Sequence, residues 1–242
     1  MNTSKELRVL GLILARGGSK RLPGKNIRAL HGKPMIGWTV ELALACQAFS
    51  KVILSTDSQS IANAVAPYGV EVPFLRPEHL AADVSTSEDA VLHALDFLRD
   101  EQGLEFDVVM LLEPTSPLRA KGDMAGVLRQ LQTHWDDADA VVGAGRVQLE
   151  QPAVMKARSD RGFLAPLFGT AESLQRVAWF PYGGMYAVKV ETLRLERSFY
   201  PSRLLGYEVQ RWQNYEVDDS FDFLCIEAIL AHFQGELPSV QV

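Results

Sequence analysis

The chain has 242 residues, 47% of them hydrophobic and 22% charged, with a formal net charge of −6. That length buries the core of one α/β enzyme domain. The acidic balance excludes a general nucleic-acid binder, and no apolar run approaches the roughly 20 residues of a membrane span. Cys46 and Cys225 lie in apolar helical patterns and read as reduced core residues of a cytoplasmic protein. The N-terminal MNTSKELR is polar and lacks a signal-peptide core, and the five histidines lack metal-ligand spacing.

Leu7–Leu14 (LRVLGLIL) reads as a buried parallel strand. It empties into the basic loop LARGGSKRLPGKN, Leu14 to Asn26. Gly17 and Gly18 let backbone N–H groups approach an anion. Arg16, Lys20, Arg21 and Lys25 supply charge for phosphates. From Leu7 to Val40 there are seven Lys or Arg and no Asp or Glu, so this acidic chain concentrates positive charge at one loop. The loop is a candidate triphosphate cradle. It is not a Walker A motif, because Ser19 stands where the first glycine belongs and Asn26 follows Gly24-Lys25. It also lacks the GxGxxG dinucleotide fingerprint. Pro23 stiffens it.

A helix opens at Pro34-Met35 and runs to Phe49, followed by a strand at Lys51–Leu54. Asp57 or Ser58 caps a helix that runs toward Tyr68 and stops at Gly69, and Val70–Phe74 reads as a short strand. Thr86 or Ser87 caps a helix over 88–100. Val108–Leu112 is a strand, Asp123–His134 a helix and Ala138–Val142 a strand. This rhythm predicts one α/β domain over 1–242, with a mostly parallel Rossmann-like sheet and helices on both faces. Ligands then sit at the carboxyl ends of the strands. From Val147 to Tyr182 the rhythm gives way to short mixed pieces. Trp179, Phe180 and Tyr182 there suit an interface, with an internal packing insert as the alternative.

Four segments now agree in order: Leu14–Asn26, STD at Ser55–Asp57, LRP at Leu75–Pro77 ahead of HLAADVSTSEDAVLHAL, and PTSPLR at Pro114–Arg119. Together they resemble the CMP-N-acylneuraminate synthetases, the cytidylyltransferases that activate sialic-acid-type nonulosonates. The resemblance runs from about residue 8 to 232. The CMP-Kdo synthetases share the RLPGK element, and PTSPLR favours the sialate-type branch. The resemblance implies a nucleotidyltransferase that moves CMP from CTP to the anomeric hydroxyl of an acidic sugar, releasing pyrophosphate. A Kdo-type sugar or another sugar nucleotidyl transfer is the alternative, and a nucleotide-binding scaffold without turnover is a third class. It also implies a role in building lipopolysaccharide or capsule, and a homodimer in which the β-rich extension at about 147–182 reaches the partner's active site.

Residue by residue, the resemblance places Leu14, Ala15, Arg16, Gly17, Gly18, Ser19, Lys20, Lys25 and Asn26 around the nucleotide. Arg76, Ala82, Ser85 and Ser87 match the base-reading segment, and a surface ion pair with Glu78 is the other reading of Arg76. Glu113, Tyr186 and Phe199 fall at the sugar site. Relatives that use sialic acid commonly carry Gln where this chain has Glu113; the exchange signals a legionaminate or pseudaminate type, or is a tolerated variation. Lys156, Arg158 and Arg176 are candidates for the sugar carboxylate, and the Gly183-Gly184 turn leads into a strand beside this pocket. In the extended segment Glu216-Val217-Asp218, alternate residues share a side, so Glu216 and Asp218 are candidate ligands of Mg²⁺. The resembled pattern there is Asp-x-Asp. Asp218, Asp219 and Ser220 equally suit the N-terminus of a last helix, and the two readings are compatible. Arg16, Lys25 and Asp218 are the candidate catalytic residues.

Overall fold

Strand β1 (Val9–Leu14) is buried over almost its whole length, as a central parallel strand must be. The computed structural model describes residues 7–148, 150–167 and 177–240. After β1 come β2 (Ala29–Leu30), β3 (Lys33–Pro34), α1 (Met35–Ala45), β4 (Lys51–Ser55), α2 (Gln59–Val65), α3 (Ser87–Gln102), β5 (Val108–Leu112), α4 (Asp123–Thr133) and β6 (Ala140–Arg146). The second part holds β7 (Lys156–Arg158), β8 (Leu164–Pro166), β9 (Trp179–Phe180), β10 (Met185–Lys189), α5 (Val190–Glu196), β11 (Leu204–Glu208) and α6 (Ser220–His232).

The main sheet has the order β11-β6-β10-β5-β1-β4, with β9 beside β6. β1 pairs in parallel with both β4 and β5, and β11 with β6. β10 is antiparallel to both its neighbours, β5 and β6. Because β1 lies between β4 and β5, the winding reverses there and leaves a crevice at the carboxyl ends of these strands.

Period-two alternation sends successive side chains to opposite faces. Val9, Ile13, Met110 and Leu112 pack with Ile36, Val40, Ile61, Val65, Val127 and Leu131, the apolar faces of α1, α2 and α4. Leu10, Leu12, Val109 and Leu111 pack with Val91, Leu95 and Leu98 of α3 and Leu193 of α5. Each such side chain contributes roughly 1.5–3 kcal/mol when fully buried. A third cluster joins Leu22, Leu30 and Trp38 to Phe223, Ile226 and Leu230, so α6 is fastened against the basic loop.

The expected elements shift at their ends. The first helix stops at Ala45, four residues early, with Cys46 as its half-buried C-cap. Cys225 on α6 is also half-buried, and both cysteines are free thiols at the margin of the core. The helix of residues 59–65 passes into a 3₁₀ turn containing Pro67 and ends at Gly69, which is left-handed at φ 80°. In place of the strand expected at Val70–Phe74 there are two isolated parallel bridges, Glu71 to Ile53 and, just beyond the segment, Leu75 to Thr56, because Pro73 has no N–H to give a ladder. Thr86, not Ser87, caps α3, its Oγ1 accepting from the Asp89 N–H at 3.1 Å. The strand expected at 138–142 starts at Ala140 and runs on to Arg146.

Candidate active site

A cavity of about 660 Å³ opens at the carboxyl ends of β1 and β5. The basic loop forms one wall, with Leu14, Arg16, Ser19, Lys20, Lys25 and Asn26 on the lining. Gly17 comes so close to α2 that a Cβ would lie 3.1 Å from Ser58 Cβ, and its N–H donates to Asp57 Oδ1 at 2.9 Å. That amide, expected to stay bare for an anion, is occupied. Gly18 faces open space. The loop then folds back through a 3₁₀ turn at Lys25–Ile27, where Asn26 is buried and donates to the Arg16 carbonyl at 3.1 Å. Ala15 is buried and donates to the Ser55 carbonyl at 3.1 Å, so it supports the loop from behind.

The cations of this wall have carboxylate partners. Arg21 Nη1 meets Asp218 Oδ2 at 2.7 Å, and Lys25 Nζ donates to the Val217 carbonyl at 2.8 Å with Asp218 Oδ1 at 3.7 Å. Burial lowers the Lys25 pKa, with Asp218 opposing that effect. Arg16 Nη1 lies 3.0 Å from Asp83 Oδ1, and Lys20 pairs with the same carboxylate.

The facing wall is the turn before α3, where Arg76, Ala82, Ser85 and Ser87 all line the cavity. Arg76 is buried and donates from Nη2 to the Ser55 carbonyl at 3.0 Å, which replaces the alternative of a surface pair with Glu78. Its Nε is buried without a partner among the described residues, and burial lowers its pKa. Ser85 Oγ donates to the His79 carbonyl at 2.6 Å and closes the turn.

Glu113 directly follows β5 and lines the floor of the cavity. Tyr186 on β10 donates to Glu113 Oε2 at 3.3 Å. Burial raises the Glu113 pKa, and the Glu216 carboxylate raises it further. Burial also raises the Tyr186 pKa, so its hydroxyl stays protonated. Below them Arg119 is fully buried, donating to the Glu113 carbonyl at 2.6 Å, the Gly184 carbonyl at 2.8 Å and Thr39 Oγ1 at 2.8 Å. Burial depresses its pKa to about 10, still charged at neutral pH. Phe199 is only 3% exposed and packs against Tyr186 with ring centroids 6.0 Å apart; of the three sugar-site candidates Glu113 lines the cavity, and neither ring does.

The acidic cluster divides. Asp218 lines the cavity. Glu216 is half-buried behind it and accepts from Ser116 Oγ at 2.8 Å. Asp219 is the N-cap of α6, accepting from the N–H groups of Phe221 and Asp222, and Asp222 Oδ2 accepts from Asp218 and Asp219. The cap reading thus falls on Asp219 and Asp222, and leaves Asp218 at the lining with Glu216 behind it. Lys156 and Arg158 are exposed on β7, and Arg176 lies outside the described residues. Trp179 and Phe180 are about half exposed, while Tyr182 is half-buried against Phe180.

Sequence reasoning did not single out Asp83, Arg119 or Ser116. Each lies within one of the segments above, and the arginine that closes PTSPLR, in the turn after the apolar strand, was the available signal for Arg119. Asp83 carries no such signal, because its partners are more than sixty residues away.

Residues 10–182 match the family model described as cytidylyltransferase. The CMP-N,N'-diacetyllegionaminic acid synthase of Legionella pneumophila is 47% identical over 232 residues, 93% of this chain and 97% of its own. The N-acylneuraminate cytidylyltransferase of Streptococcus agalactiae is 33% identical over 220 residues, covering 88% of this chain and 51% of its own, so the chain spans about half the length of that relative. Among solved structures, the CMP:2-keto-3-deoxy-manno-octonic acid synthetase complexed with CTP superposes with TM-score 0.70 at 18% identity, over 93% of this chain and 99% of that one, which shows a shared fold. The matched span carries the basic loop, the turn before α3 and the strand ends that floor the cavity, and it makes this chain a nucleotidyltransferase belonging to the cytidylyltransferase family.

Proposed function

We propose that the chain transfers CMP from CTP to the anomeric hydroxyl of an acidic nonulosonate, of the diacetyllegionaminate type, with release of pyrophosphate. The observation that carries this reading is one cavity with two chemically distinct ends. Arg16, Lys20 and Lys25 line the basic end, where a triphosphate would lie. Glu113 lines the other end, its half-buried carboxyl bonded by the Tyr186 hydroxyl, and offers that carboxyl to sugar hydroxyl or amide groups. The 47% identical relative named for diacetyllegionaminate supports that sugar class.

In this mechanism the chain holds and aligns; it forms no covalent bond to substrate. Arg16, Lys20, Lys25 and Asn26 grip the phosphates, and a guanidinium fork suits their oxygens. Arg76, with an unpartnered Nε, faces the base, where cytosine offers N3 and O2 as acceptors. Ala82, Ser85 and Ser87 bound the base, and Glu113 and Tyr186 orient the acceptor sugar.

Mg²⁺ is the proposed cofactor. Asp218 at the lining and Glu216 behind it are its candidate ligands. Burial raises the Glu216 pKa, Asp218 raises it further, and Glu216 raises that of Glu113. Such crowding of carboxyl groups suits a hard cation that takes one or two carboxylates and completes its shell with phosphate oxygens and water. When bound, the ion would neutralise charge on the phosphates.

A homodimer joined through the 147–182 extension is part of the proposal, supported by the exposed Phe163, Leu164, Trp179 and Phe180 side chains. No helix among the described residues is long and apolar enough to cross a membrane. A cytoplasmic place is proposed from the need for CTP, and a role in surface glycans such as lipopolysaccharide or capsule from the sugar class.

The test is pyrophosphate release from CTP and Mg²⁺ with a panel of nine-carbon nonulosonates and the eight-carbon Kdo. Turnover highest with a diacetyllegionaminate-type sugar is expected. Turnover with Kdo alone would overturn the sugar assignment, and none with any acidic sugar would overturn the reaction.

A further inference from the structure

The acid that faces the phosphate cradle from across the cavity mouth is Asp83. Its Oδ1 lies 3.0 Å from Arg16 Nη1, and its carboxylate also pairs with Lys20. It is presented by a built turn: Ala81 N–H donates to the Glu78 carbonyl at 2.9 Å, Ser85 N–H to the Ala82 carbonyl at 3.1 Å, and Ser85 Oγ to the His79 carbonyl at 2.6 Å. Thr86 then caps α3 directly behind it. The neighbouring Val84 is 91% exposed, so no packing pins the tip that carries the carboxylate.

We propose that Asp83 is a built-in competitor for phosphate, which holds Arg16 and Lys20 until a triphosphate displaces it and takes them back as pyrophosphate leaves. The inference rests on the cavity being the nucleotide site. Any ligand that uses both cations must first displace the carboxylate, so CTP and pyrophosphate are each held less tightly than the bare cradle would hold them. A grip that is tight on substrate and product alike does not speed turnover. Asp83 relaxes that grip at the end where pyrophosphate must depart. The contact is exposed and charge-based, so its effect is modest and falls with salt.

The experiment is calorimetric titration of pyrophosphate, CTP and cytidine into the full chain and its Asp83→Asn and Asp83→Glu variants, in magnesium-free buffer at low salt. Asparagine keeps the shape and removes the charge; glutamate keeps the charge. Asp83→Asn is expected to tighten pyrophosphate and CTP by about three- to tenfold, the size of one or two exposed ion pairs. It should leave cytidine, which has no phosphate, unchanged, and Asp83→Glu should stay near the parent. In steady state, product inhibition by pyrophosphate should deepen by the same factor. If Asp83→Asn leaves pyrophosphate affinity unchanged or weakens it while the parent binds CTP normally, the competitor role is overturned and the nucleotide reading stands. A cytidine response equal to that of pyrophosphate would also overturn it, because the effect would then be one of shape. If the parent binds neither CTP nor pyrophosphate, both readings fall together.

Discussion

The Arg119 guanidinium donates to the backbone carbonyl of Glu113 at 2.6 Å and, with the same nitrogen, to that of Gly184 at 2.8 Å. One buried side chain thus fixes the end of β5 against the start of β10, the two strands that supply Glu113 and Tyr186. Leucine at Arg119 keeps the volume and leaves two carbonyls and the Thr39 hydroxyl without their donor. Each buried acceptor left unpaired costs roughly 1–3 kcal/mol. Arg119→Leu should lose about 3 kcal/mol in urea unfolding at constant m-value, and Arg119→Lys, which keeps the charge without the fork, should lose less.

Gly184 is the second half of the same joint. It sits at φ +53°, and a Cβ there would lie 2.8 Å from Ser116 Oγ, 2.9 Å from Arg119 Nη2 and 3.0 Å from Glu113 Cβ. Gly184→Ala combines strain with overpacking and should cost about 2 kcal/mol or more. Because the displaced atoms belong to the floor, kcat/KM for the sugar should fall further than the melting temperature suggests.

Glu113 gives a pH signature. Burial, reinforced by Glu216, raises its pKa above the ordinary 4.5. The folded protein therefore keeps this proton to a higher pH than the unfolded chain does, and stability is lost as pH climbs from the ordinary value through the folded one. Glu113→Gln removes that loss. The variant should melt a few degrees higher than the parent at neutral pH, with the gap closing as pH drops below the ordinary glutamate range. A gap that widens on acidification would contradict this account. Activity should meanwhile shift in sugar preference.

Lys25 is half-buried between the loop and the segment leading to α6, its ammonium 2.8 Å from the Val217 carbonyl. A charge-assisted hydrogen bond is worth roughly 1.5–3 kcal/mol. Lys25→Met should raise the KM for CTP by about 10- to 100-fold while circular dichroism stays that of the parent.

CTP with Mg²⁺ should raise the melting temperature of the parent, since a ligand of the folded state stabilises by mass action. GTP should do much less. Arg76→Ala should erase the difference, and an equal response of the parent to both nucleotides would sink base reading by the wall of residues 76–87.

The sequence made the parallel half of the sheet legible because β1, β4, β5 and β6 are apolar runs separated by periodic helices. It made the cradle legible because glycines and cations adjoin within thirteen residues. β11 and α5 were not read: β11 is an edge strand with half-exposed positions and no continuous apolar run, and α5 has only seven residues. The antiparallel course of β10 depends on partners some forty to eighty residues away, which local pattern does not encode. The same limit hid the roles of Asp83 and Arg119. Of the three residues that the resemblance places at the sugar, Glu113 lines the cavity while Tyr186 and Phe199 pack together off the lining, a distinction that local motifs do not encode.

The β6–β9 ladder has one more implication. Arg146 pairs with Trp179, and Val147 N–H donates to the Ala178 carbonyl at 2.9 Å, so the chain departs and comes home at a single zipped neck. Whatever is spliced between those two points leaves the register of β5, β10 and β6 untouched. If the proposed homodimer is joined through this extension, a short tight turn grafted across the neck between Val147 and Ala178 should yield a chain that still binds CTP while running as a monomer in size-exclusion chromatography.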